Sequence, residues 1–130
     1  FSFAVASLIS GSAWALWHFA VIVQGSYLDA AQVPLGAALV LFTVGLIGQS
    51  FVYGWLRERS ESVWPAVCLH GAWNWFTQGI MGHVFQPGPK SSLVVGEMSI
   101  GIAVAGILLS ALFWNGRPRD RQSVVSHLRT

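Results

Sequence analysis

The chain has 130 residues, of which 54% are hydrophobic and only 9% are charged, and its mean hydropathy is +0.59. Soluble domains carry about 25% charged residues, so this composition excludes an ordinary soluble enzyme or binding module and indicates a protein that folds in lipid. The formal net charge is +2, and the single cysteine, Cys68, excludes an internal disulfide.

Four apolar stretches are long enough to cross a bilayer, which takes roughly 20 mostly apolar residues in a helix. Formal charges are confined to the short connections between these stretches and to the C-terminal tail, apart from Glu97 inside the last stretch. The predicted fold class is therefore all-α, a polytopic transmembrane bundle of about four helices. The spanning helices are predicted at about 5–27, 34–56, 63–85 and 93–114.

Small residues and prolines indicate how these helices begin and pack. The second stretch contains four glycines, which let membrane helices approach each other closely. Pro34 and Pro65 stand where the second and third helices are expected to begin, a position that proline favours.

The basic residues are concentrated on one side of the predicted bundle. Six of the seven Lys and Arg residues lie in the 57–62 linker or the 117–130 tail, which four spans place on the same side. The positive-inside rule makes that side cytoplasmic. We therefore predict a transmembrane domain at 1–116 and a cytoplasmic tail at 117–130, in a bacterial or archaeal plasma membrane. The expected partner is the lipid bilayer; nucleic-acid contact by the arginine-rich tail has weak support.

Three polar residues stand inside predicted spans. His70 and Asn74 are four residues apart and project from one face of the third helix, while His18 lies within the first span. Polar groups at this depth are costly unless satisfied, and they usually face a bundle interior or a water-filled cavity. Interhelical hydrogen bonding explains most single residues of this kind, but it is a weaker explanation for three together.

Other residues are candidates for the wall of such a cavity. Trp14 and Trp73 stand close to the polar residues in sequence, although packing is the alternative for each. Gln49 is expected at a depth similar to that of His70, because both lie seven residues from the cytoplasmic ends of their helices. His18 is expected to lie deeper.

Glu97 is the only formal charge within a predicted span. Because that span is entered from the outer side, Glu97 is expected far from His70, as a carboxylate at the membrane interface. A position lining the substrate cavity is the alternative.

Two short motifs resemble those of a known family. GWLRERSESVWPAVCLHGAWNW contains His70 and Asn74 in an HxxxN pattern, and WALWH, which ends at His18, resembles FxxxH with tryptophan at the aromatic position. In this order and at this spacing they resemble the second and third motifs of the CPBP intramembrane proteases. That family includes CAAX prenyl endopeptidases and bacteriocin-processing or immunity proteins. The resemblance covers roughly residues 4–114.

The resemblance implies an endopeptidase that cleaves membrane-associated peptides or proteins, with prenylated CAAX-type substrates as one option. In that family, glutamates of an EExxxR motif and the second-motif histidine hold and activate water, and the third motif stabilises the oxyanion. Carried over, His18 orients the water, and His70 and Asn74 are the oxyanion donors. The three form the predicted catalytic set, with no metal and no cofactor.

One departure from the family pattern is clear, because EExxxR is absent from the chain. The chain also lacks an initiator methionine and opens on an apolar run. We therefore expect the C-terminal part of a longer endopeptidase, inactive by itself.

Several alternatives stay open. HxxxN lacks the glutamate and second histidine of HExxH, yet zinc or another divalent metal remains an alternative. The same fold is compatible with a non-catalytic immunity or scaffold protein. A haem protein with His18 and His70 as axial ligands and a transporter are further alternatives. No oligomeric state is predicted.

Overall fold

The computed structural model describes residues 2–25, 33–81, 84 and 89–115, and within them the protein is helical with no strand. The proposed tail at 117–130 lies outside the described residues. The elements are α1 (Phe3–Val23), α2 (Leu35–Ser60), α3 (Trp64–Asn74), a π-helical segment (Trp75–Met81), the single turn α4 (Pro89–Ser92) and α5 (Ile100–Phe113).

Local sequence signals explain the ends of the long helices. The Ser2 hydroxyl caps α1 by accepting from the Val5 N–H at 3.3 Å, and Gly25 ends it with a φ of 72°. Arg57 and Arg59 stand in the last turn of α2, where positive charge interacts favourably with the helix dipole. The chain then turns into α3, which has proline in its first turn.

Helix α2 is the central element and packs against α1, α3 and α5. Its contact with α1 is close because a Cβ atom on Gly11 would lie only 2.7 Å from the Ile47 Cα. At this crossing the Ser50 hydroxyl lies 2.6 Å from the Ser7 carbonyl oxygen, so a hydrogen bond joins the two helices. Small residues and interhelical hydrogen bonds are the features that hold helices together in lipid.

The contact between α2 and α5 is closer still. A Cβ atom on Gly48 would collide with the Gly106 backbone, and one on Gly106 would lie 2.5 Å from the Val44 carbonyl oxygen. The two backbones therefore meet with no side chain between them, as the glycines of the second stretch predicted.

Two helices, α1 and α2, are long and apolar enough to span a membrane, with 21 and 26 residues. At about 1.5 Å per residue they are about 32 and 39 Å long, which matches a hydrocarbon core of about 30 Å. Only 22% and 39% of their most apolar windows are buried inside the protein. Most of their surface is therefore available to lipid.

The prediction of four spans is confirmed only in part. The all-helical fold and two helices of spanning length agree with it, but the third helical stretch runs only from Trp64 to Met81, partly in π geometry, and α5 begins at Ile100, seven residues later than predicted. Helix α5, with 14 residues, is only about 21 Å long. The predicted boundary at 93 is wrong because the chain folds back there.

Two hydrogen bonds and the backbone conformation of a glycine stabilise this reversal of the chain before α5. The Ile100 N–H donates to the Leu93 carbonyl at 2.9 Å, and the Ser99 hydroxyl caps α5 by accepting from the Ile102 N–H at 3.2 Å. Gly96 has a φ of 143°, a conformation that other residues rarely adopt. Residues 93–99 form a turn rather than the first part of a spanning helix, and we refer to them as the 93–99 turn.

Gly48→Ala is expected to lower the free energy of unfolding of the full-length protein by about 1–3 kcal/mol, because the added methyl group forces α2 and α5 apart. Unfolding in detergent micelles measures this change. Gly36→Ala is the matched control, since a methyl group there meets nothing within 4 Å. It should leave the stability unchanged or raise it slightly. Equal stability of the two variants would contradict the close crossing.

Candidate active site

One pocket is bordered by α1, α2, α3, the π-helical segment, the 93–99 turn and α5. Its free volume, including the part open to solvent, is about 440 Å³. The structure thus brings together residues that are distant in sequence, while their roles stay predictions. The predicted site residues all line this pocket: His18, His70, Asn74, Trp14, Gln49, Trp73 and Glu97.

His70 and Asn74 meet one turn apart on α3. Asn74 Nδ2 lies 3.2 Å from His70 Nε2, close enough for the amide to donate to an unprotonated ring nitrogen. The other ring nitrogen, Nδ1, is buried and has no hydrogen-bond partner among the described residues. Asn74 is the last residue of α3, so the pair stands where the helix changes to π geometry. Such changes occur frequently at functional sites.

His18 is oriented by the backbone of its own helix. Its Nδ1 lies 2.9 Å from the carbonyl oxygen of Trp14. Because a carbonyl oxygen only accepts, Nδ1 carries the proton in this contact, and Nε2 is then the acceptor of the neutral ring. This tautomer suits a histidine that accepts a hydrogen bond from water.

The indole ring of Trp14 connects the two histidines. Its centroid lies 6.0 Å from that of His18 and 5.1 Å from that of His70, both in edge-to-face geometry. The ring also lies 5.7 Å from Tyr53 on α2. The predicted difference in depth between His18 and His70 therefore does not separate them, because one large side chain reaches both rings.

The expectation that Glu97 lies far from His70 is wrong, since both line the same pocket. The reason is the 93–99 turn, which carries Glu97 outside helix α5. One carboxylate oxygen, Oε1, lies 2.7 Å from the hydroxyl of Thr77 in the π-helical segment. The alternative placement, in the wall of the cavity, is the one that the structure has.

Three polar residues of this region were missed by sequence reasoning. Gln78 lines the pocket and Thr77 contacts Glu97, while the Tyr53 hydroxyl donates to Gln49 Oε1 at 3.2 Å. A signal was present for Gln78, because it lies four residues after Asn74 and continues the polar face of α3. For Tyr53 the signal was its spacing of four from Gln49.

Within the ranges that the structure describes, no group of three or more His, Cys, Asp or Glu residues is placed to hold a metal ion. Zinc sites use three or four ligands of these types. His18 and His70 supply two imidazoles at most, and the metal-free site remains a prediction.

Asn74→Ala is expected to shift the imidazole nitrogen resonances of His70, because that ring loses its hydrogen-bond partner. The resonances of His18 should stay unchanged, since its partner is a backbone carbonyl of its own helix. NMR of the histidine-labelled full-length protein measures both. Gly71→Ala is the control, because a methyl group there meets nothing within 4 Å. A His70 signal unaffected by Asn74→Ala would contradict the pairing.

Comparison with known proteins gives one family. The family model described as type II CAAX prenyl endopeptidase Rce1-like matches residues 1–76, more than half of the chain. The matched part contains His18, His70 and Asn74. No curated protein and no solved structure gives a significant match. The chain therefore belongs to the Rce1-like type II CAAX prenyl endopeptidase family, a protease family, and its two long apolar helices point to an integral membrane protein.

Proposed function

We propose that the full-length protein is an intramembrane endopeptidase that hydrolyses peptide bonds of membrane-associated substrates in this pocket. The observation that carries the proposal is the approach of Asn74 Nδ2 to His70 Nε2 at 3.2 Å. Two nitrogens at this separation can both reach a single oxygen atom at about 2.9 Å, the usual length of an N–H···O hydrogen bond. That is the geometry of an oxyanion hole.

In the proposed reaction, the oxygen of a water molecule attacks the carbonyl carbon of the scissile bond, and negative charge develops on the carbonyl oxygen. The Nδ2–H of Asn74 and the Nε2–H of His70 donate to that oxygen. His70 must then hold its proton on Nε2, and its contact with Asn74 gives way to the substrate. The ring and the amide are both uncharged donors, so the site stabilises the oxyanion without needing a buried cation.

His18 has a different role in this proposal. Its Nδ1–H is engaged with the Trp14 carbonyl, so Nε2 is the acceptor of the neutral ring, and in this proposal it accepts a hydrogen bond from the attacking water. The family resemblance assigns the base to glutamates of an EExxxR motif, which is absent from this chain. In the full-length protein those carboxylates would take the water proton and transfer it to the leaving amine as the C–N bond breaks. His18 is thus a water-orienting residue beside the oxyanion donors.

The family description makes a CAAX-type peptide the best-supported substrate class for this proposal. About half of the residues that line the pocket are aromatic or aliphatic and the rest are polar, a mixture that can bind an apolar segment of a peptide and orient its backbone. A prenylated and an unprenylated peptide of the same sequence would show whether the lipid group is required.

The proposal predicts that His70→Ala and Asn74→Ala each lower kcat of the full-length protein by about 100- to 1000-fold, because each removes one oxyanion donor. KM should change little, since these contacts form mainly in the transition state. Cleavage of the CAAX-type peptide in liposomes measures both constants, and Gly71→Ala is the control next to His70.

Thermal unfolding of each variant separates lost chemistry from lost folding. Unchanged kcat in both donor variants would contradict the oxyanion role. If a correctly folded wild-type protein cleaves no peptide at all, the non-catalytic immunity or scaffold function becomes the better explanation.

A further inference from the structure

Gln49 presents an amide side chain to the pocket from the middle of α2. It lines the pocket together with the proposed oxyanion donors His70 and Asn74, and it stands four residues before Tyr53, about one helical turn. The proposed chemistry assigns no role to either of these α2 residues. An amide carries both donors and acceptors, so its orientation decides what it can bind.

The hydroxyl of Tyr53 determines which end of the amide faces the pocket. It donates to Gln49 Oε1 at 3.2 Å, and Tyr53 itself does not line the pocket. The amide oxygen is therefore held from outside the pocket wall, and the NH₂ group is the end that meets a ligand. Within the described residues, the contact with Tyr53 is the one hydrogen bond of the Gln49 side chain.

The NH₂ group of Gln49 is accessible as well as oriented. Among the described residues, His70 Nδ1 is the only fully buried side-chain nitrogen or oxygen atom without a hydrogen-bond partner, so Gln49 Nε2 is not sealed inside the protein. Phe42 and Leu46, on the same helix, line the same pocket. A carbonyl group that enters such surroundings loses its hydrogen bonds to water, and a donor fixed in the wall offsets that cost.

Tyr53 also connects this amide to the proposed oxyanion hole. Its ring centroid lies 5.9 Å from that of His70 and 5.7 Å from that of Trp14. The distance to His70 and the 3.2 Å hydrogen bond place the Gln49 amide within about four residues of extended peptide from His70, at roughly 3.3 Å per residue. A peptide bound at His70 and Asn74 can therefore reach Gln49 with a neighbouring part of its main chain.

We propose that Gln49 is a substrate-binding residue whose Nε2–H donates to a main-chain carbonyl oxygen near the cleaved bond, and that Tyr53 is the positioning residue that orients its amide. The oxyanion donors serve only the carbonyl of the cleaved bond, and a second donor at a fixed distance sets the register of the peptide. The inference rests on the proposed function for the nature of the ligand, a peptide. It goes beyond that function by assigning a contact that recognises main chain, whatever the side chains.

The test uses full-length protein in nanodiscs and a CAAX-type peptide whose cleaved bond is replaced by an uncleavable ketomethylene group. Each other main-chain amide is replaced in turn by an (E)-alkene, which keeps the shape of the chain and removes the carbonyl oxygen. At one position the wild type should lose about fivefold in affinity, as expected for one neutral hydrogen bond. An ester there, which removes the N–H and retains a carbonyl oxygen, should cost less.

Gln49→Met keeps the length of the side chain and lacks the donor. It should bind the parent peptide about fivefold more weakly than the wild type does, and that one alkene peptide equally well. Equal binding of the alkene peptide also shows that the pocket of the variant is intact. The inference is overturned if no main-chain position shows a loss that depends on Gln49.

Tyr53→Phe removes only the hydroxyl that orients the amide, and it should weaken binding of the parent peptide about two- to threefold. In Gln49→Met protein the same change should have no further effect, whereas a purely structural contribution of the hydroxyl would persist. Thr43→Val is the matched control, because it removes another hydroxyl hydrogen bond of α2 outside the pocket wall. Equal effects of Tyr53→Phe in both backgrounds would overturn the positioning role.

Cleavage of the normal peptide distinguishes this inference from the proposed function. Gln49→Met should raise KM about fivefold with a smaller effect on kcat, the opposite of the pattern expected for His70→Ala. Peptide binding that depends on Gln49, without any cleavage, would reject the protease and retain the binding role. Cleavage with no coupling between Gln49 and the main chain would reject the inference and retain the protease.

Discussion

The fold depends on the close packing of α1 and α5 against α2. At Gly48 and Gly106 the backbones of α2 and α5 meet without an intervening side chain, and Gly11 lets α1 approach α2 almost as closely. In lipid, where burial of apolar surface gives little driving force, this close packing and the hydrogen bond from Ser50 are what hold the helices together. Helix α2, fixed in this way, contributes Gln49 and Phe42 to the pocket wall that also contains the histidines of α1 and α3.

The pocket brings polar side chains from several helices together beside aromatic and aliphatic ones. His18 is oriented by a carbonyl of its own helix, and His70 by the amide of Asn74, so each imidazole has a partner that selects its orientation. The indole of Trp14 lies against both rings. In the proposed reaction His70 moves its proton to Nε2 and exchanges its contact with Asn74 for one with the oxyanion, whereas His18 keeps its contact with the Trp14 carbonyl.

The sequence predicts the parts of this fold that depend on local pattern. The long uncharged stretches of the sequence predict α1 and α2, and the four-residue spacing of His70 and Asn74 predicts that both lie on one face of a helix. The π-helical segment and the 93–99 turn could not be predicted in this way, because apolar residues such as Leu93, Val94 and Val95 read as a continuing helix. Their reversal depends on tertiary packing of Met98 and on Gly96, whose φ of 143° no periodicity reveals. The predicted position of Glu97 was wrong for the same reason, since its depth was inferred from a helix that the chain does not form there.

In the proposed mechanism, His70 and Asn74 bind the oxyanion of a tetrahedral intermediate rather than the ground-state peptide. The most direct test compares the affinity of the full-length protein for a CAAX-type peptide with its affinity for the matching phosphonate, a tetrahedral anionic analogue. The wild type is expected to bind the phosphonate at least about 100-fold more tightly than the peptide. Replacing both residues with alanine should remove this advantage while leaving peptide affinity nearly unchanged. Equal loss of affinity for both ligands, or an undiminished preference for the phosphonate, would contradict the proposed mechanism.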